Sequence, residues 1–311
     1  MTNNQSAAPA EGYSAGASEH EDKAPAGPLA RQIGFIHVPK TAGTSVARGL
    51  YTALQPRLPV AGFDRSMFGG FDDFQSVSEE TRRYVYLRTD ELPPDADLIA
   101  GHFSLTTIRD RYPASAILII LREPLSRVLS HWTFWRSEAE LAQPGWGTWN
   151  KYLEASHHSF ADFLSDPRVA CQTDNVALRL LLWPHPLIPN DNFILNDHDQ
   201  TLVEEAKARL ATLSHVNAIE NPQLANDLAV WLDRPFNLIH LKETQSVTAR
   251  YSSRLADELT LATQDLWHAR SRLDLALWLA VCESIMPSAD LTALTETVRA
   301  RSLERYAQLL R

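Results

Sequence analysis

The sequence predicts an α/β domain: a parallel sheet flanked by helices, with the C-terminal third largely helical. Three observations carry this. Short apolar runs occur at residues 33–38, 97–101 and 116–121, with the length and make-up of buried strands. Helix-period patterns lie between and after them, the alternation of a parallel sheet with crossover helices. The chain has 311 residues, 44% hydrophobic and 22% charged, which is ordinary globular usage and the size of one large domain.

Residues 33–38 (IGFIHV) form a buried strand stopped by Pro39. Residues 45–54 follow as a helix, with Val46, Leu50 and Leu54 spaced four apart on one face. Strand, tight loop and helix make the first half of a βαβ unit. Residues 97–101 (DLIAG) and 116–121 (AILIIL) are the next strands; the latter is apolar at every position, as a parallel strand covered on both faces requires. Pro124 suits a first helical position, so a helix runs from 124 to 136. Beyond Thr201 the pattern is mostly helical. Leu202, Val203, Ala206, Leu210 and Leu213 make one stripe, and Leu255, Leu259, Leu266 and Leu273 suggest others. Residues 236–241 (FNLIHL) read as a late strand.

Residues 1–30 are dominated by Ala, Gly, Ser and Pro, with Leu29 the only large aliphatic side chain. Such a stretch buries too little surface to offset the entropy of ordering, so it is expected to be a disordered tail ahead of a single domain, 31–311. It has neither the basic nor the apolar region of a secretory signal. The longest aliphatic run is the one at 116–121, far short of the roughly 20 residues a spanning helix needs. Cys171 and Cys282 stand alone, which excludes a disulfide framework and a cysteine-based zinc site. Reduced thiols make cytoplasmic location the expectation. A net charge of −9 argues against a general nucleic-acid binder, which carries a basic footprint, and leaves room for a local basic pocket.

The sharpest local signal is HVPKTAGTS, His37 to Ser45. Small residues let the backbone curl so that successive amides point inward as an anion-binding nest, and the following helix adds the positive end of its dipole. Lys40 supplies a charge; Thr41, Thr44 and Ser45 supply hydroxyls; Ala42 and Gly43 supply room. This is a phosphate or sulfate cradle, though not a Walker A loop, because Lys40 opens the turn instead of standing next to last. Further on, Arg122 ends a strand and Ser130 lies two turns into the next helix. The guanidinium fork and the hydroxyl suit one oxyanion.

The two stretches together resemble the sulfotransferase superfamily, specifically the branch with heparan sulfate 2-O-sulfotransferases and related bacterial enzymes. PKTAGTS is similar to the family's loop for the 5′-phosphosulfate, and Arg122 with Ser130 to its pair for the 3′-phosphate of 3′-phosphoadenosine-5′-phosphosulfate (PAPS). Ala100-Gly101-His102-Phe103 resembles the Gly-His segment of the family. Weaker similarity runs through 173–175, 215–220 and 271–275. Gly43 departs from the Ser usual in the heparan enzymes. The resemblance implies a P-loop-NTPase-like fold, PAPS as sulfate donor, no metal, and a hydroxyl-bearing glycan or small-molecule acceptor.

Sulfuryl transfer needs a base for the acceptor hydroxyl, donors for the transferring group and a cation for the leaving phosphate. The resemblance implies His102 as the base and Lys40 as the cation, with residues 40–45, Arg122 and Ser130 holding the cofactor. His37 is expected to point into the core or across the sheet; His131, beside Ser130, is a second candidate for the cleft, and His157-His158 reads as surface. Trp146 and Trp149 are candidates for the acceptor side, with Gly145-Trp146-Gly147 as a mobile lip, and Trp135 is read as core. Lys242, Arg250 and Arg254 lie in a polar, basic connection at 242–254 that stands open between cofactor contact and solvent. A P-loop-like nucleotide kinase and a non-catalytic nucleotide-binding scaffold are the competing readings.

Overall fold

The computed structural model describes residues 31–138, 144–238 and 244–311. The expected N-terminal tail lies outside the described residues, as do Lys242 and part of the expected late strand. The architecture is α/β, with a five-stranded parallel sheet. Its strands are β1 (Ile33–Ile36), β2 (Pro59–Val60), β5 (Leu98–Gly101), β6 (Ala116–Leu121) and β7 (His215–Ala218), in the order β2-β5-β1-β6-β7. Two short strands between them, β3 (Phe63–Asp64) and β4 (Val85–Tyr86), form a separate parallel pair. Ile36 stands opposite Gly101 on one side and Ile119 on the other. The carboxyl ends of β5, β1 and β6 therefore open at one edge. The chain leaves β1, crosses to β2 beyond β5, and returns to β6 on the far side of β1, so the strand order reverses at β1. Such switch points are where open α/β sheets hold their ligands.

Alternating side chains build a core on each face. Phe35, Leu98, Ala100, Leu118 and Ile120 pack against the helices Gly43–Leu54 and Leu224–Leu232. Ile36, Ile99, Ile117 and Ile119 pack on the other side against Leu105–Arg111, Val176–Leu182 and Arg272–Ile285. Each fully buried aliphatic side chain contributes about 1.5–3 kcal/mol. A third cluster joins the helix Pro124–Ser137, through Leu125, Leu129 and Trp132, to Phe160, Trp267 and Tyr306. Tyr306 belongs to the helix Leu291–Leu309, which lies along Pro124–Ser137.

The motifs at 173–175 and 271–275 are structural. The Asn175 side-chain oxygen accepts from the amides of Leu273 and Asp274 at 2.8 and 3.3 Å. The Asp274 carboxylate accepts from the amides of Ala177 and Leu178 at 3.0 and 2.9 Å. Each helix start thus carries the cap of the other, satisfying amides that have no partner within their own helix. Burial raises the Asp274 pKa, an effect opposed by the charge of Arg127 and the two amides. Beside this pair, Asp174 is fully buried and accepts from Arg179 Nη2 at 2.7 Å and from the Ile194 amide at 2.9 Å.

Several element boundaries move. The first helix begins at Gly43, two residues ahead of the expectation, because the curl at Ala42 already turns the backbone into the helix. The expected strand at 236–241 is corrected where it is described: Phe236, Asn237 and Leu238 are not in a strand, and Phe236 covers the sheet from the side of the first helix. The fifth strand of the sheet is instead β7.

Candidate active site

After β1 the backbone enters the left-handed region twice, at Lys40 (φ 67°) and at Ala42 (φ 57°). Residues held there cost of order 1–3 kcal/mol each, so the surroundings must fix them. Two contacts do. Thr41 is fully buried, and its hydroxyl donates to the Val38 carbonyl at 2.8 Å. Arg122 Nη1 reaches across from the end of β6 and donates to the Lys40 carbonyl at 2.9 Å. The Thr41 hydroxyl is thereby spent on holding the loop, leaving Thr41 its backbone amide for any ligand. The loop delivers Gly43 as first residue of the helix. Its cap, Ala42, offers no side-chain acceptor, and the first turn holds no acidic residue. The leading amides keep the partial positive charge that attracts an anion. Thr44 and Ala42 are half-exposed at this end, and Ser45 is buried.

Gly43 is dictated by space. A Cβ there would lie 1.8 Å from Cδ2 and Nε2 of His37, so no serine fits while that ring keeps its place. His37, 1% exposed, stacks on Phe35 with ring centroids 5.5 Å apart and on His102 at 4.2 Å.

His102 follows β5 directly. Its amide donates to the Gly62 carbonyl at 2.8 Å, and its carbonyl accepts from Asp64 at 3.2 Å. The ring sits between His37 and Phe63, the latter 5.0 Å away. Nδ1 lies 2.6 Å from the His37 carbonyl. A carbonyl only accepts, so Nδ1 carries the hydrogen, and Nε2 is the basic nitrogen of the neutral ring.

The helix Pro124–Ser137 presents Ser130 and, one turn later, Phe134 on the same side. Lys40 Nζ lies 3.6 Å from the Phe134 ring centroid. Arg122 Nη2 is 3.4 Å from the Tyr306 hydroxyl, which also hydrogen-bonds Ser130. Arg122 and Ser130, eight apart in sequence, thus meet on one phenolic oxygen. Burial raises the Tyr306 pKa, but the Arg122 charge and the hydrogen bonds from Ser130 and Arg122 outweigh it, and the net shift is downward. Seven residues earlier on the same helix, Arg299 Nε pairs with the buried Glu123 carboxylate at 2.9 Å. Glu123 also accepts from the Ser126 amide at 2.7 Å and so caps the Pro124–Ser137 helix. Behind it, Glu220 accepts from the Glu123 amide and from Trp278 Nε1, each at 2.9 Å, and burial pushes its carboxyl up.

Other candidates fall elsewhere. The His131 ring stands against Trp135, centroids 4.4 Å apart, and Phe163 at 6.4 Å. Trp146 and Trp149 are each 4% exposed, which corrects their reading as acceptor-side platforms. Trp149 is edge-packed with Phe68 and Trp146 with Phe63 beside His102, while Trp146 also lies tilted against Phe68. Buried aromatic area of this kind serves the core. The lip reading is corrected with them: Gly145 accepts from the Ser78 amide at 2.8 Å and Thr148 donates to Ser76 at 3.0 Å, pinning the segment. Trp135, read as core, is half-buried; Trp132 is the fully buried member of the pair. His157 is half-buried with its ring 4.5 Å from Tyr251, and desolvation lowers its pKa; His158 is exposed. Arg250 and Arg254 are exposed, engaged with the Tyr251 ring and with Asp257.

The loop at 40–45, His102, Arg122 and Ser130 therefore converge at the carboxyl ends of β1, β5 and β6. Two residues join them that no spacing in the sequence announces, Phe134 and Tyr306. Compared with models of known protein families and with curated proteins, the chain matches none.

Proposed function

We propose that the chain is a PAPS-dependent sulfotransferase of P-loop-like α/β architecture, acting on a hydroxyl of a carbohydrate or small-molecule acceptor. One observation carries the reading: an uncapped helix start with its lysine, an arginine–serine pair and a histidine of defined tautomer share one sheet edge. PAPS is a substrate here, and the residues suit its two anionic ends. The amides at 42–45 and Lys40 take the 5′-phosphosulfate, and Arg122 with Ser130 takes the 3′-phosphate. The acceptor oxygen forms a bond to sulfur as the bond from sulfur to the phosphate oxygen breaks. The hydroxyl proton passes to His102 Nε2, and 3′-phosphoadenosine 5′-phosphate departs. Lys40 reaches the bridging oxygen by rotating off Phe134, a contact worth about 0.5–1 kcal/mol at a partly exposed site. The net charge of −9 disfavours a polyanionic acceptor.

Calorimetry tests the donor. 3′-Phosphoadenosine 5′-phosphate is expected to bind, and ATP with magnesium to bind far more weakly; the reverse order supports a kinase instead. Transfer of labelled sulfate from PAPS to acceptor fractions separates an enzyme from a scaffold. Arg122→Ala is expected to weaken the 3′-phosphonucleotide by about 1.5–3 kcal/mol, the worth of a hydrogen bond to a charged group. Adenosine 5′-phosphate loses less, through the loosened Lys40 carbonyl alone. Equal losses for both nucleotides would reduce Arg122 to a strut for the loop.

A further inference from the structure

Tyr306 has no part in the reading above, yet its hydroxyl occupies the point where Arg122 and Ser130 converge. Arg122 has only hydrogens to give, so the phenolic oxygen accepts from it at 3.4 Å. Ser130 stands beside the same hydroxyl, and both neighbours favour the ionised form of the phenol. The phenol thus sits beside both members of the arginine–serine pair that would hold an anionic oxygen. Accepting from Arg122 leaves the phenol its own hydrogen to give.

The placement is firm. Tyr306 is 2% exposed. Its helix is tied across the end of β6 by Arg299 on Glu123, and beyond the tyrosine by the Leu309 carbonyl, which accepts from the Val247 amide at 2.8 Å. A phenol held beside a guanidinium is a stronger hydrogen-bond donor than one in water, because the positive charge favours loss of its proton.

We propose that Tyr306 is a third ligand of the anion held by Arg122 and Ser130, its hydroxyl donating to the bound phosphomonoester. This rests on the proposed function for the identity of the nucleotide, but not for the chemistry of the anion. Three donors from a strand end, the following helix and the Leu291–Leu309 helix enclose a tetrahedral dianion from three directions. That geometry discriminates nucleotides bearing a 3′-phosphate from those without one.

The test is Tyr306→Phe, which removes one oxygen and keeps the ring in its packing. Binding of 3′-phosphoadenosine 5′-phosphate, adenosine 5′-phosphate and inorganic phosphate is measured on the full chain. The variant is expected to bind the 3′-phosphonucleotide and inorganic phosphate roughly ten- to a hundredfold more weakly, the worth of one hydrogen bond to a charged group. Adenosine 5′-phosphate affinity stays unchanged. Tighter binding by the variant would make Tyr306 a plug and overturn the proposal, as would equal loss for both nucleotides. If wild type binds inorganic phosphate in a Tyr306-dependent way but neither nucleotide, the triad stands and the sulfotransferase reading falls. If the nucleotides bind wild type and variant alike, the triad falls and the sulfotransferase reading stands. A readout on wild type alone covers a variant that folds poorly. With ring-labelled tyrosine, one of the 8 tyrosine signals is expected to shift with the 3′-phosphonucleotide and not with adenosine 5′-phosphate; no differential shift overturns the proposal.

Discussion

His102→Ala is expected to cut kcat by about two to four powers of ten while leaving the affinity for 3′-phosphoadenosine 5′-phosphate nearly unchanged. The size is that of a lost general base. The direction follows from the tautomer: Nδ1–H is committed to the His37 carbonyl at 2.6 Å, so Nε2 accepts the proton, and an alanine offers no acceptor. Affinity is spared because a neutral imidazole adds no charge to the phosphate sites at Lys40 and Arg122. The ring also stacks on His37 and Phe63, so the variant is less stable. Single-turnover rates, measured at a temperature where circular dichroism shows it folded, separate the two effects. A variant retaining most of its single-turnover rate would leave His102 as a stacking residue.

The largest expected loss of stability is at Asp174→Ala. Asp174 is fully buried, and the Arg179 side chain is 6% exposed. Arg179 also donates to the carbonyls of Asp174, Pro189 and Asn192, so its guanidinium stays in place when the carboxylate goes. An uncompensated charge is then buried together with an orphaned Ile194 amide. Removing one partner of such a pair costs about 3–5 kcal/mol. The midpoint of urea unfolding should fall accordingly with an unchanged slope. A loss below about 1 kcal/mol would mean that water reaches Arg179.

What the sequence discloses and what it conceals divide along physical lines. The strand at 116–121 is apolar at all six positions and lies as Ala116–Leu121, because a doubly covered strand leaves no polar position to confuse the pattern. β7 reads HVNA, with polar side chains at two of four positions, and no period identifies it. β2, a two-residue strand, is equally silent. The loop at 40–45, Arg122 and Ser130 are legible because backbone curl, charge and hydroxyls stand close in sequence. Tyr306 is not, since it meets Arg122 across 184 residues, a contact created by helix packing. Trp146 and Trp149 mislead for a related reason: aromatic side chains look alike on paper whether they line a cleft or fill a core, and only their neighbours Phe63 and Phe68 decide.

The exchanged caps at Asn175 and Asp274 bear on how the molecule opens. The helices they start, Val176–Leu182 and Arg272–Ile285, cannot fray independently at their amino ends, since loosening either start withdraws the acceptor of the other. The amides of Ala177, Leu178, Leu273 and Asp274 therefore belong to one cooperative opening unit, exchanging their hydrogens with solvent at a common free energy although the two segments are nearly a hundred residues apart. One of these helices precedes β7 in the chain and the other follows it, so the exchanged caps join segments on either side of that strand. Breathing of the sheet's far flank is thereby tied to a single event and is not distributed over separate helices.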